Sequence, residues 1–188
     1  MKSYKKIRRV NGKVFSSNKG QVWVETVIYT LIAFALIGAV LSFVRPKIGE
    51  LQDNLVLEQS VNLMKGIDKI IFEVVQEGSG NKRKVDVGLK KGLLTIDGEN
   101  DLLMFDMDSG MAFSEPGIDV NEGNLIIRTE SMGDYNHVNF LINYSGIYNL
   151  SFGGEEISKQ VTSAQTSYTM FISNKGEYDG KTLVDIEL

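Results

Sequence analysis

No charged residue interrupts the chain from Thr26 to Val44, a run of 19 positions rich in Leu, Ile, Val and Ala. At about 1.5 Å of rise per residue, a helix of that length spans about 30 Å, the thickness of a bilayer's hydrocarbon core. It is apolar on every side, so it belongs in a membrane or inside a helical bundle. Arg45-Pro46-Lys47 ends the run, and no other segment is long and apolar enough to span. From Ile48 to Glu77 the pattern becomes amphipathic. Ile48, Leu51, Leu55, Val61, Met64, Ile67, Ile71 and Val74 form a stripe, widened by Leu57, Leu63, Ile70 and Val75, with Glu, Asp and Lys between them. Pro46 either starts this second helix or kinks one long helix, and a continuous, bent rod is expected. Gly78-Ser79-Gly80 stops it.

Beyond Gly80 the periodicity shortens. Eight short runs rich in Val, Ile, Leu and aromatics, "KRKVDVGL", "GLLTI", "DLLMFDM", "NLIIRT", "HVNFLINY", "IYNLSF", "YTMFISN" and "TLVDIEL", read as strands. Asp97-Gly98, Ser109-Gly110, Pro116-Gly117, Glu122-Gly123, Gly153-Gly154, Lys175-Gly176 and Asp179-Gly180 supply turn signals between them. The polar stretch 155–167 is open as a loop or a short helix. The expected fold is α+β: a long N-terminal helix, apolar then amphipathic, followed by an antiparallel β-sheet or β-sandwich head on which the amphipathic half packs.

Charge sharpens the N-terminal picture. The net charge is −4, yet residues 1–20 carry Lys2, Lys5, Lys6, Arg8, Arg9, Lys13 and Lys19 and no acid, which leaves 13 basic residues against 24 acidic ones in the remainder. A basic arm could bind phosphate, but the acidic remainder would repel it, so no nucleic-acid partner is expected. Positive charge ahead of an apolar helix holds that end in the cytoplasm. The chain has no cysteine and a single histidine, His137. Disulfides and thiolate metal sites are therefore ruled out, and multi-histidine metal sites nearly so, on supply alone. No phosphate loop or paired acid–base constellation stands out. No catalysis, cofactor or metal is expected.

The residues flanking the apolar run carry the most specific signal. A secretory signal peptide is cut after its apolar core, and Ala33-Phe34-Ala35 has a suitable shape but sits in mid-core. Lys19-Gly20, followed by Gln21 and then Glu25, instead suggests a cut ahead of the core. This arrangement resembles type IV pilin precursors, and within them the archaeal class III signal peptides, whose motif from the first mature residue is Gln-x-Ser-x-Glu-x-x-x-Leu. Gln21 and Glu25 match that motif, whereas Trp23 and Tyr29 stand where serine and leucine are expected. The resemblance covers residues 13–45, and the β-rich part carries no motif of the family.

The resemblance implies a layout: a cleaved leader at 1–20, a transmembrane and polymerisation helix at 21–45, an amphipathic helix at 46–78 and an extracytoplasmic β domain at 81–188. It implies cutting between Gly20 and Gln21 by a prepilin peptidase. It further implies a single span with a cytoplasmic N-terminus, and assembly by a pilus ATPase and platform proteins into a surface filament with copies of itself or related pilins. Glu25 then compensates the ammonium that cutting creates on Gln21. The competing expectations are an uncleaved, signal-anchored surface protein that binds a ligand through its β domain, and an enzyme working through carboxylates alone.

Asn143-Tyr144-Ser145 and Asn149-Leu150-Ser151 are N-glycosylation sequons, placed outside by that topology, with Asn143 the weaker candidate because it sits within an alternating run. Asp106-Met107-Asp108-Ser109-Gly110 starts like a calcium loop but lacks the later ligands, and is expected to be a turn with solvated acids. Asp97-Gly98-Glu99-Asn100-Asp101 is expected to be a loop. His137 reads as a strand-surface residue, and Trp23 and Tyr29 as interfacial aromatics.

Overall fold

The computed structural model describes residues 18–188. Helix α1 covers Asn18–Gln76, and the helical assignment runs through Pro46 without a break. Ten strands follow: β1 (Lys82–Val87), β2 (Leu93–Asp97), β3 (Leu102–Ser109), β4 (Asp119–Glu122), β5 (Leu125–Ser131), β6 (Asn136–Asn143), β7 (Tyr148–Phe152), β8 (Ser158–Thr162), β9 (Tyr168–Tyr178) and β10 (Lys181–Glu187). The protein is α+β, with a long N-terminal helix ahead of antiparallel-rich sheets. It divides after Pro46 into two compact units, the described residues up to that point and Lys47–Leu188. The leader expected at 1–20 lies outside the described residues except for its last three positions.

In the second unit, one sheet has the order β4-β5-β6-β3-β2-β8 and the other β1-β9-β10-β7. Every pairing is antiparallel except that of β10 with β7. A parallel pair needs a long crossover, and β8 and β9 lie on the chain between these two strands. Period-two alternation sends Leu103, Phe105 and Met107 of β3, Leu125 and Ile127 of β5, and Val138, Phe140 and Ile142 of β6 inward. They share one core with Met170 and Ile172 of β9, Val184 and Ile186 of β10, and the helix stripe Leu57, Val61, Met64, Ile67 and Ile71.

That stripe corrects the expected one. Ile48, Leu51 and Leu55 are exposed at 48%, 63% and 58%, while Leu57 is buried. The step from Leu55 to Val61 is six residues, which rotates an α-helix by about 240° instead of continuing a face. The stripe that packs begins at Leu57, and Ile48, Leu51 and Leu55 lie on the opposite face of the same helix. Farther along, that outward face carries Asn62, Lys69 and Glu73, so it turns polar after Leu55.

All eight expected strand runs are strands, and β4 and β8 are additional. Both are edge strands, and β8, with the pattern exposed-exposed-exposed-buried-exposed, lies in the stretch left open as loop or short helix. An edge strand with a single buried side chain has no alternation to read. Lys175-Gly176 is not a turn. It lies inside β9, where Gly176 takes φ of 98° beside a register shift in the β9–β10 ladder, the signature of a bulge. The reversal comes at Asp179-Gly180, with φ of 49° and 75°, a two-residue hairpin in which both central residues are left-handed.

Candidate functional site

The N-terminal segment is the candidate site, because its apolar surface is unsatisfied within the chain. Every described side chain from Val22 to Arg45 is exposed, including Trp23 at 71% and Phe34 at 66%. Among the described residues, α1 holds the one stretch long and apolar enough to cross a membrane. Its threonine and serine hydroxyls are turned back onto the helix backbone. Thr26 Oγ1 donates to the Val22 carbonyl at 2.9 Å, Thr30 Oγ1 to Thr26 at 2.8 Å and Ser42 Oγ to Gly38 at 2.8 Å. The lateral surface thus presents methyls and rings with almost no unpaired polar group, as hydrocarbon surroundings demand.

Glu25 is the one acid on this surface between Val22 and Val44. The Tyr29 hydroxyl, one helical turn on, donates to Glu25 Oε1 at 3.0 Å. The sequence presents Tyr29 as an interfacial aromatic and a departure from the motif, and this pairing adds a second role. The i, i+4 spacing was its available signal. The backbone of Lys19, Gly20 and Gln21 lies within α1. Their side chains fall outside the described residues, so the structure places the cleavage candidates on the helix and no further.

The remaining candidates are resolved in the second unit. Asp106 and Asp108 do not form a turn; both point outward from β3. His137, facing them from β6, places Nδ1 2.9 Å from Asp108 Oδ1 and Nε2 3.5 Å from Asp106 Oδ1, and Asn139 Nδ2 donates to Asp106 Oδ1 at 2.7 Å. The hydrogen bond with Asp108, helped by the charge of Asp106, raises the His137 pKa above its ordinary value. Asp97 serves its own loop: Oδ1 accepts from the Glu99 amide at 3.0 Å and Oδ2 from Asn100 Nδ2 at 2.8 Å. Among the described residues, no three His, Asp or Glu side chains are grouped to hold a metal ion.

The two sequons differ in kind. Asn143 ends β6 with an exposed side chain, and its Oδ1 accepts from the Ser145 amide at 2.9 Å and the Ser145 hydroxyl at 2.7 Å. Asn149 lies within β7, where its Nδ2 donates to the Tyr178 carbonyl at 2.9 Å. Its partner Ser151 is 1% exposed, and the hydroxyl donates to Asp185 Oδ1 at 2.8 Å. The ranking expected from sequence, with Asn143 the weaker, is the reverse of the accessibility.

Compared with known proteins, the chain matches no family model, no curated protein and no solved structure. What the fold and the site define is a class: an α+β protein whose N-terminal helix exposes an apolar surface able to cross a membrane.

Proposed function

We propose that the chain is a structural subunit, a pilin or pseudopilin, of an archaeal type IV pilus-like filament. A prepilin peptidase cuts it between Gly20 and Gln21. It is held as a single-span membrane protein with its N-terminus in the cytoplasm and its β domain outside. A pilus assembly ATPase and platform then draw it into a surface filament with copies of itself or related pilins. It performs no catalysis of its own.

The observation that carries this proposal is the exposed apolar face that persists after the span. Residues 22–44 already suffice for a bilayer core at about 1.5 Å per residue. An anchor alone would explain them, but it has no use for Ile48, Leu51 and Leu55, which stay exposed on one face beyond Arg45 and Lys47. A helix bundled with neighbouring helices does, since each apolar side chain buried there contributes about 1.5–3 kcal/mol.

The site residues take roles in the same scheme. Gly20 has the poor helix propensity that eases local unwinding at a cut, about 1 kcal/mol relative to alanine. Cutting leaves an ammonium on Gln21, and an unpaired charge inside an apolar bundle costs several kcal/mol even after relaxation. Glu25 supplies the opposite charge, in the same chain or a neighbour. Before assembly it lies near the cytoplasmic interface, where an acid costs less than at the bilayer centre.

The mature N-terminus is the test. Mass spectrometry of the membrane-bound protein should find a chain beginning at Gln21. An intact leader beginning at Met1 or Lys2 would overturn the proposal in favour of the uncleaved surface anchor.

A further inference from the structure

Beside Asn143, the head carries a mainly apolar groove of about 190 Å³ between α1, strands β5 and β6 and the turn into β7, with Asn143 itself on its lining. Phe72 and Ile147 are 55% and 56% exposed there, Ile126, Ile142, Tyr144 and Tyr148 add to the apolar walls, and Asp68 and Asn124 form a polar side. Exposed side chains of this size beside each other call for a cover. We propose that Asn143 is N-glycosylated, that Asn149 is not, and that the sugar attached at Asn143 lies over this groove.

Two independent features support the choice. The first is the local geometry of the sequon. Ser145 presents both its amide and its hydroxyl to Asn143 Oδ1, which polarises the side-chain amide of this exposed residue, and among the described residues no acceptor engages its Nδ2. At Asn149 the corresponding nitrogen is hydrogen-bonded to the Tyr178 carbonyl and the serine of the sequon is buried on Asp185, so a transferring enzyme reaches neither without opening this part of the head. The second feature is the groove. Sugar rings present C–H faces as well as hydroxyls, so a first sugar on Asn143 can lay an apolar face on Phe72 and Tyr148 while keeping its hydroxyls in water. The asparagine fixes the attachment point at the rim, which commits the groove to a covalently held carbohydrate over a free ligand.

The chemistry requires a sugar carried on a lipid phosphate as co-substrate and an external transferring enzyme. A bond forms between Asn143 Nδ2 and the anomeric carbon. The anomeric carbon–oxygen bond to phosphate breaks with its electron pair leaving on the phosphate oxygen, and one Nδ2 proton is lost to the enzyme's base. This step rests on the extracytoplasmic location proposed above, because the transfer takes place on that side of the membrane.

The test uses the full chain, isolated from the membranes of its own cells. Peptide mass mapping should find a carbohydrate mass on the peptide holding Asn143 and none on Asn149. Asn143→Gln and Ser145→Ala should each abolish that mass, and Ser151→Ala should leave it in place. Hydroxyl-radical footprinting should show Phe72 and Ile147 more reactive in the Asn143→Gln protein, with exposed Met132 unchanged as the control. An unmodified Asn143, or sugar on Asn149 alone, would overturn the inference, and unchanged footprinting would overturn the cover. Labelling of intact cells with a membrane-impermeant amine reagent separates the two failures. A labelled head with bare Asn143 sinks the glycan alone, whereas an unlabelled head removes the topology and the glycan together.

Discussion

The helix is fastened to the sheet at one point where the consequences can be worked through. Tyr144 is 2% exposed, and its hydroxyl donates to Asp68 Oδ1 on α1 at 2.8 Å. Asn124 Nδ2 holds the other oxygen at 3.2 Å. Tyr144→Phe keeps the ring and removes only the donor. A hydrogen bond to a charged acceptor contributes about 1.5–3 kcal/mol, and because Asp68 is only half-buried, water replaces part of the loss, so about 1.5 kcal/mol is expected. For a domain of this size that lowers the melting temperature by roughly 3–6 °C.

A second signature is specific to the hydroxyl. Burial, with the charge of Asp68 adding to it, pushes the Tyr144 pKa well above its ordinary value of 10.0. The protonated form is therefore favoured in the folded state. The stabilisation is fully present below pH 10, and it falls as pH rises past 10 toward the higher folded pKa, with a slope approaching 1.4 kcal/mol per pH unit. Urea unfolding of the full chain in detergent, from pH 8 to pH 11, should show wild type losing stability faster than Tyr144→Phe, the two curves converging at the alkaline end. Parallel curves would refute the reasoning, as would a Tyr144→Phe protein as stable as wild type at pH 8.

Three further outcomes follow from the site and the charged clusters. On the proposed function, Glu25→Ala should leave cleavage after Gly20 intact and abolish incorporation into filaments, measured by blotting sheared surface material against the membrane pool. The carboxylate of Asp185 is 1% exposed and accepts from Ser151 at 2.8 Å and the Gly154 amide at 2.7 Å, with Lys175 Nζ 3.3 Å away. Asp185→Ala orphans those donors and should cost about 2–4 kcal/mol by urea unfolding, and Asp185→Asn distinctly less. His137, with its pKa raised by Asp108 and Asp106, contributes stability that is fully present below its unfolded value of 6.5 and lost as pH rises through the folded value. His137→Gln should flatten the stability profile just above pH 6.5 by thermal melting.

The division between what sequence revealed and what it hid follows burial. The apolar run and the eight strands were legible because Phe105, Phe140, Ile127 and their neighbours each occupy one face at a fixed period. β4 and β8 escaped because edge strands need bury little. Ile48, Leu51 and Leu55 were assigned to the wrong face because a helix rich in apolar residues offers several threads, and only the six-residue step to Val61 betrayed the change. The Glu25–Tyr29 pair was readable in principle from its spacing. The contrast between the sequons was not, since it depends on Asp185 and Tyr178, residues 34 and 29 positions away.

Tyr29 gives the sharpest test of how the charge at position 25 is managed. Among the described residues its hydroxyl is the donor that Glu25 has, at 3.0 Å. Near a membrane interface that bond is replaceable by water, so Tyr29→Phe should neither block insertion nor slow the cut at Gly20–Gln21. In the proposed filament bundle, water would be scarce and the carboxylate would face the ammonium of a cut chain. On that proposal the ion pair would supply the main compensation, and the hydroxyl would add one bond to a charged group, about 1.5–3 kcal/mol per subunit. Tyr29→Phe should thus reduce filament yield and lower the temperature at which filaments dissociate, while Glu25→Ala, which leaves the ammonium unpaired, abolishes assembly. The measurement is filament yield by electron microscopy and blotting, with cleavage followed by N-terminal mass spectrometry on the same cells. If Tyr29→Phe assembles and melts like wild type, the hydroxyl is idle once the ion pair forms. If it blocks cleavage instead, Tyr29 acts in recognition by the peptidase and the pairing with Glu25 is incidental.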